Sequence, residues 1–330
     1  MAITMESIKT LRAMTGAGLA DVKKALTEAD GDMERAKEIL RERGQAIAAK
    51  RSDRETSNGC VLAKAENGFA AIIALKCETD FVANGADYIA LTQEILNAAV
   101  AAKAKDIETV KNLTLANGQT VAVAITERSG VTGEKMELDG YNFIEGENVS
   151  VYNHMNKNVL CTLVQTNKPA EEQAHAIAMQ VAAMKPVALN EESVDPAIIE
   201  EEKKVAAEKT KQEQVEKAVV NALKKAGINP AHVDSEDHMK SNMAKGWITA
   251  EDVEKAKEII AKTSEEKAKN LPAAMIENIV KGRINRFYKE NCLLNQEFIQ
   301  DSKMSVADYL KAADKDLTVV DFKRFSLQAD

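Results

Sequence analysis

The run FAAIIAL (residues 69–75) does most to restrict how this chain can fold. An almost unbroken apolar stretch of this length reads as a buried strand, and it follows Glu66-Asn67-Gly68, a hairpin-turn signature. With CVLAKA before the turn it makes two short strands, and a long helix follows in ADYIALTQEILNAAVAAKA. The plan then recurs. ENVSVYNHMNKNVLCTLVQ gives two strands around a polar turn at residues 153–158, and AEEQAHAIAMQVAAM gives a helix. Two copies of strand, turn, strand, helix predict an α+β fold with a duplicated strand-strand-helix core. Between the copies, TVAVAITERSG reads as helical and EKMELDGYNFI as extended. TVVDFKRFSLQ, near the end, alternates as a sheet strand does.

Ahead of this core, residues 1–54 read as a small three-helix unit. Thr4 can cap a helix carrying Ile8, Leu11 and Met14 at three-residue spacing. MTGAG breaks it, and LADVKKALTEA resumes with Leu19, Val22, Ala25 and Leu26 on one face. Asp32 can cap a third helix with Met33, Ala36, Ile39 and Leu40, and Gly44 is expected to stop it. QAIAAKRSDRETSNG reads as helical extension or linker. The core divides into residues 55–145 and residues 146–196 with 271–330. Residues 197–270 are rich in Glu, Lys and Ala, with a thin apolar stripe and Trp247 as almost the only aromatic. They predict a protruding helical, coiled-coil-like arm with a small cap at its tip. PAAMIENIVKGRINRFYKENCLL is a further helix beginning at Pro272.

The motifs of catalysis are missing. The sequence has no GxxxxGK[ST] phosphate loop, no GxSxG and no HExxH, and the GAG at residues 16–18 follows a helix rather than a strand. His232 and His238 flank acidic residues in AHVDSEDHM, which reads as a solvated loop in preference to a weak metal site; His175 reads as a partly buried packing residue, and His154 lies in the polar turn. The expectation is a protein with no catalytic residues, no metal site and no cofactor. The net charge of −8 opposes non-specific nucleic-acid binding, which needs a cationic surface, and points to a protein partner. No apolar run approaches the roughly 20 residues of a membrane span. Cys60, Cys77, Cys161 and Cys292 stand far apart and read as buried thiols of a cytoplasmic protein.

CETDFVAN, directly after the apolar strand, poses a separate question, because an aromatic residue in a turn gains nothing from water. Two readings are open on the residues alone. Thr79 can cap a short helix with Asp80 favouring its dipole and Phe81 folded back into the core. Alternatively, Phe81 is an exposed contact residue.

Three separated stretches bear on that choice. LRAMTGAGLADVKKALTEADGD closely resembles the N-terminal signature of the translation elongation factor Ts family, CETDFVAN its second signature, and KGRINRFYKENCLLNQEFIQD a later segment. They occur in the family's order, over roughly residues 1–190 and 271–330. The resemblance implies a guanine-nucleotide exchange factor for elongation factor Tu, with no catalytic chemistry of its own and a place in the cytoplasm. It implies that residues 1–54 resemble a ubiquitin-associated fold and dock on the G domain of Tu through Leu19, Ala20 and Lys23. It implies that Thr79, Asp80, Phe81 and Val82 push into that domain near its magnesium and nucleotide phosphates. His154 stands at a further contact position, although the adjacent MNK departs from the family's small, glycine-rich turn.

Two further departures set expectations. Residues 210–270 carry extra helical sequence, which predicts a longer arm. Many relatives continue into a C-terminal module beyond the equivalent of DFKRFSLQAD, so exchange is expected to rest more on residues 1–54 and the TDFV turn. Two rival readings stand beside exchange. One is an adaptor whose three-helix unit binds a peptide or ubiquitin-like protein; the other is a structural protein that forms homodimers through the arm.

Overall fold

The computed structural model describes residues 3–328, which form two compact units. The first contains the residues up to Leu189 together with those from Glu297 onward; the second is Asn190–Gln296.

The first unit opens with α1 (Met5–Thr15), α2 (Leu19–Glu28) and α3 (Met33–Lys50). Thr4 and Ser7 form a reciprocal capping box, Gly16 ends α1 in the left-handed region at φ 68°, and Asp32 caps α3 by accepting the Arg35 amide at 3.0 Å. Ile8, Leu11, Val22, Ala25, Leu26, Ala36 and Ile39 make the small core. Met14 is 54% exposed and does not continue the stripe begun by Ile8 and Leu11. At roughly 100° per residue, six positions carry it about 120° around the helix from Ile8.

Next come β1 (Asn58–Glu66) and β2 (Phe69–Cys77), paired antiparallel around Asn67 and Gly68, both at positive φ as the tight hairpin turn requires. The chain continues through α4 (Asp80–Ala83), α5 (Ala86–Ala101), α6 (Ile107–Asn112) and α7 (Val121–Thr132) to β3 (Met136–Glu145). β3 pairs along the free edge of β2, making β2 the central strand. This explains FAAIIAL. Phe69, Ala71, Ile73 and Leu75 pack with Tyr88, Ile95 and Leu96 of α5 and with Val121 and Ile125 of α7. The alternate residues Ala70, Ile72 and Ala74 join Val61, Ile144, Cys161 and Leu163 on the opposite face. A strand covered on both faces has no solvent side to alternate toward, so its sequence is continuously apolar.

The second half repeats the plan with β4 (Val149–Asn153), β5 (Leu160–Thr166) and α8 (Glu171–Met184). Its chain then leaves for the second unit, which contains α9 (Pro196–Lys225), α10 (Glu236–Ala244), α11 (Ala250–Lys269) and α12 (Ala273–Asn291). Asp195 caps α9 and Pro196 occupies its first turn, where a missing N–H costs nothing. Leu223, Ile228, Val233, Met239, Ile248, Val253 and Ala256 form a separate cluster that joins the end of α9, α10 and the start of α11. The helix Ala273–Asn291, grouped by sequence with the second half of the core, packs in this unit, with Arg283 reaching both Glu213 oxygens at 2.8 and 2.7 Å.

Back in the first unit are β6 (Glu297–Phe298), β7 (Asp301–Ser305), α13 (Val306–Ala313) and β8 (Val319–Ser326). β8 pairs antiparallel with β5, so each half of the core is a three-stranded sheet whose middle strand comes second in sequence. The two sheets meet across the cluster around Ile72 and Leu163. Gly140 belongs to that contact, since a Cβ there would collide with the ring of Phe325.

Gly44 does not stop the third helix; α3 runs on to Lys50. The glycine is buried where α3 crosses α7, and a Cβ on Gly130 would fall within the backbone of Gly44. Here glycine allows two helix backbones to approach. Gly130→Ala is therefore expected to destabilise the protein by about 1–3 kcal/mol through overpacking. Gly282→Ala, in open space on α12, is expected to stabilise by roughly 0.5–1 kcal/mol because it removes backbone freedom from the unfolded chain. Urea midpoints of the two variants against wild type check both signs; a Gly130→Ala protein as stable as wild type contradicts the close crossing.

Candidate partner-binding site

β2 leaves the core at Cys77 and reaches α5 within nine residues by a turn held by backbone and side-chain hydrogen bonds on either side of Phe81. Thr79 is extended, at φ −123° and ψ 155°, and its hydroxyl oxygen accepts the Val82 amide at 3.4 Å as the cap of α4. The Ala83 amide donates to the Thr79 carbonyl at 3.2 Å. The Asn84 amide and side-chain Nδ2 each donate to the Asp80 carbonyl at 2.9 Å, and the Gly85 amide donates to the Val82 carbonyl at 3.0 Å. From below, the Cys77 thiol donates to the Thr79 carbonyl at 3.2 Å, and the buried Tyr88 hydroxyl donates to the Leu75 carbonyl at 2.7 Å. Burial pushes the Cys77 thiol above its ordinary range.

Val82 is half-buried against the core and Ala83 is buried. Asp80 faces solvent, and Phe81 is 88% exposed, the most exposed large apolar side chain among the described residues. The short capped helix expected at this turn is present, but the aromatic ring does not fold back. Single exposed apolar residues are common on protein surfaces. Phe81 differs in standing on a backbone with few conformations left to lose, so burying its ring against a partner orders only a side chain.

The turn rests on the segment after α7. The Glu134 carboxylate accepts the Thr79 amide at 3.0 Å and the Thr79 hydroxyl at 2.6 Å. The neighbouring Lys135 amide donates to Glu78 at 2.7 Å, and Arg51, just past α3, donates to both Glu78 oxygens at 3.0 and 3.1 Å. The Lys135 amide, with further help from Arg51, holds the Glu78 carboxyl below the usual glutamate range. Through Arg51, helices α1–α3 meet the base of the turn.

The remaining positions singled out by sequence lie apart from this seat. Leu19 (46% exposed), Ala20 and Lys23 face solvent on α2, while Val22, Ala25 and Leu26 are buried beneath them. His154 is half-buried in the turn between β4 and β5, with Nδ1 3.1 Å from the Tyr152 hydroxyl. Among the described residues, none of its hydrogen bonds or ring contacts reaches residues 79–82. His175, expected to be partly buried, is exposed and stands edge-on to Tyr152, with ring centroids 5.6 Å apart. Among the described residues no cluster of His, Cys, Asp or Glu side chains is placed to hold a metal ion, and no helix is long and apolar enough to cross a membrane. All four cysteines are buried free thiols. No local motif marks Arg51, Glu134 or Lys135, and nothing within CETDFVAN assigns Glu78 its role, because the partners are distant in sequence.

A carboxylate whose folded pKa is depressed stabilises the fold above its unfolded pKa and loses that contribution as pH falls through the folded value. The Glu78 contacts are therefore expected at full strength at neutral pH and to fail only below the ordinary glutamate range. Glu78→Gln should lower neutral-pH stability and leave a shallower loss on acidification than wild type, as read by denaturant midpoints from neutral pH into acid. Parallel curves would contradict this assignment.

A family model described as Elongation factor TS matches residues 78–230 and 222–329. Over 330 residues the chain is 63% identical to an elongation factor Ts of Phocaeicola vulgatus, and over 331 residues 63% identical to one of Bacteroides fragilis. An elongation factor Ts of Porphyromonas gingivalis is 43% identical over 331 residues. Each match covers 100% of both chains, so the second compact unit lies within the shared sequence. The extent and level of these matches show that the chain belongs to the elongation factor Ts family.

Proposed function

We propose that this protein is a guanine-nucleotide exchange factor in translation elongation. It binds elongation factor Tu carrying GDP, dislocates the Mg2+ and promotes replacement of GDP by GTP, with no bond-making chemistry of its own. The observation that carries this reading is Phe81, 88% exposed on a turn hydrogen-bonded on either side of it.

Residues 1–54 dock on the G domain of Tu through Leu19, Ala20 and Lys23, while Thr79, Asp80, Phe81 and Val82 enter beside the metal. Residues 55–145 carry this turn. Residues 146–189, with those from Glu297 onward, carry His154 as a further contact position for Tu, and residues 190–296 form the arm. The protein makes no direct nucleic-acid contact, in keeping with its net charge of −8, and works in the cytoplasm.

An exchange factor must bind the nucleotide-free partner more tightly than the loaded one, since only differential affinity moves an equilibrium. By linkage, nucleotide and factor then weaken each other by the same factor, which keeps the ternary complex short-lived. Burying a phenylalanine side chain contributes about 1.5–3 kcal/mol, enough to hold apart the elements that fix the ion. Departure of the metal leaves the phosphate charge uncompensated. Asp80 orients the tip or perturbs the metal's outer coordination.

Stopped-flow release of fluorescent GDP from Tu tests the proposal. Wild-type protein is expected to accelerate release, and Phe81→Ala to lower the accelerated rate by roughly ten- to a hundredfold, the equivalent of the buried ring. Association with Tu that is indifferent to guanine nucleotide, or a Phe81→Ala protein as active as wild type, would refute the wedge.

A further inference from the structure

Resting on the exchange reading above, we propose that Glu134 is a positioning residue: its carboxylate fixes the direction in which the Phe81 turn points, and α7 anchors that carboxylate to the three N-terminal helices.

Glu134 occupies both donor groups of Thr79 at once, taking its amide at 3.0 Å and its hydroxyl at 2.6 Å. With its proton directed at the carboxylate, the Thr79 hydroxyl keeps a lone pair for the Val82 amide, the side-chain bond by which the cap orients α4. Removing the carboxylate frees the hydroxyl to rotate and leaves the Thr79 amide without its acceptor, both directly before Phe81. Hydrogen bonds to an ionised acceptor are the stronger kind, so this is the firmest hold on the cap residue.

The support beneath Glu134 is equally specific. Gly133, left-handed at φ 73°, ends α7 with its amide on the Ser129 carbonyl at 2.8 Å, and the buried Ser129 hydroxyl donates to the Glu134 carbonyl. Two residues before Gly130, Arg128 pairs with Asp87 at the start of α5 at 3.0 Å. Gly130 itself lies against Gly44 of α3. From the far side, Lys135 donates its amide to Glu78 and its Nζ to the Arg54 carbonyl at 3.1 Å. The surface bearing Leu19, Ala20 and Lys23 and the ring of Phe81 are thus tied to one helix end. A partner held by the first meets the second at a set position.

The test is a mutant cycle on release of fluorescent GDP from elongation factor Tu, using the full-length protein. Glu134→Ala is expected to lower the rate at saturating factor by about tenfold or more, as small misplacements of positioned groups do. The half-saturating concentration should stay near wild type, because the docking face on α2 is untouched. Made in a Phe81→Ala background, the same substitution is expected to change the rate by less than about twofold, since nothing remains to be aimed. Glu134→Gln, which can still accept the Thr79 amide and bond its hydroxyl, should restore most of the rate. Should Glu134→Ala not fold, Glu134→Asp, one methylene too short to reach both donors, replaces it in the cycle. Equal losses in the two backgrounds, or no loss in the first, overturn the inference while the exchange reading stands. If the wild-type protein does not accelerate release, the reading fails and the inference with it.

Discussion

The burial of β2 on both faces is the constraint on which the core depends. Its odd residues fill the space under α5 and α7, and its even residues form the seam with the second sheet. A strand in that position cannot slide by one residue, because the slip would exchange Phe69, Ala71, Ile73 and Leu75 for the smaller set Ala70, Ile72 and Ala74 against the helices. With register closed to variation, Cys77 leaves the core at a defined point. Everything that happens at Phe81 is measured from there.

That exit explains why an aromatic residue can be held in water. The outward turn contributes little burial of its own beyond Val82 and Ala83, so hydrogen bonds must hold it. They come from three directions: the short helix itself, the cysteine and tyrosine beneath it, and the bend at 134–135 between α7 and β3. Each bond adds little to net stability. Together they remove alternative backbone conformations, which matters more for a contact tip than the energy of any one bond.

Much of this architecture was legible in the sequence where cause and effect lie within a few residues. Asn67-Gly68 specifies the hairpin, Thr4 and Asp32 cap their helices, Thr79 caps the turn, and the apolar run marks the buried strand. The reading failed where a distant neighbour decides. Gly44 looks like a stop signal, but its use depends on Gly130. Met14 fits a spacing rule whose angular drift takes it out of the core. His175 sits in an alanine-rich helix yet faces water. At the candidate site, the resemblance to the family picks out the TDFV tip, whereas Glu134 and Lys135 become visible only once β3 has folded back along β2.

The late position of β8 has a consequence for how the molecule is made. The first sheet draws its strands from residues 58–145, but β5 waits for a partner that begins at Val319, beyond the whole of the second unit. Emerging from a ribosome, the chain can finish one half of the core early while the other half keeps an unsatisfied strand edge. The intervening Asn190–Gln296 has a cluster of its own and can fold while that edge waits, shortening the effective loop to be closed. β8 is therefore the strand that seals the second sheet, and truncation before it leaves an open edge prone to wrong pairing.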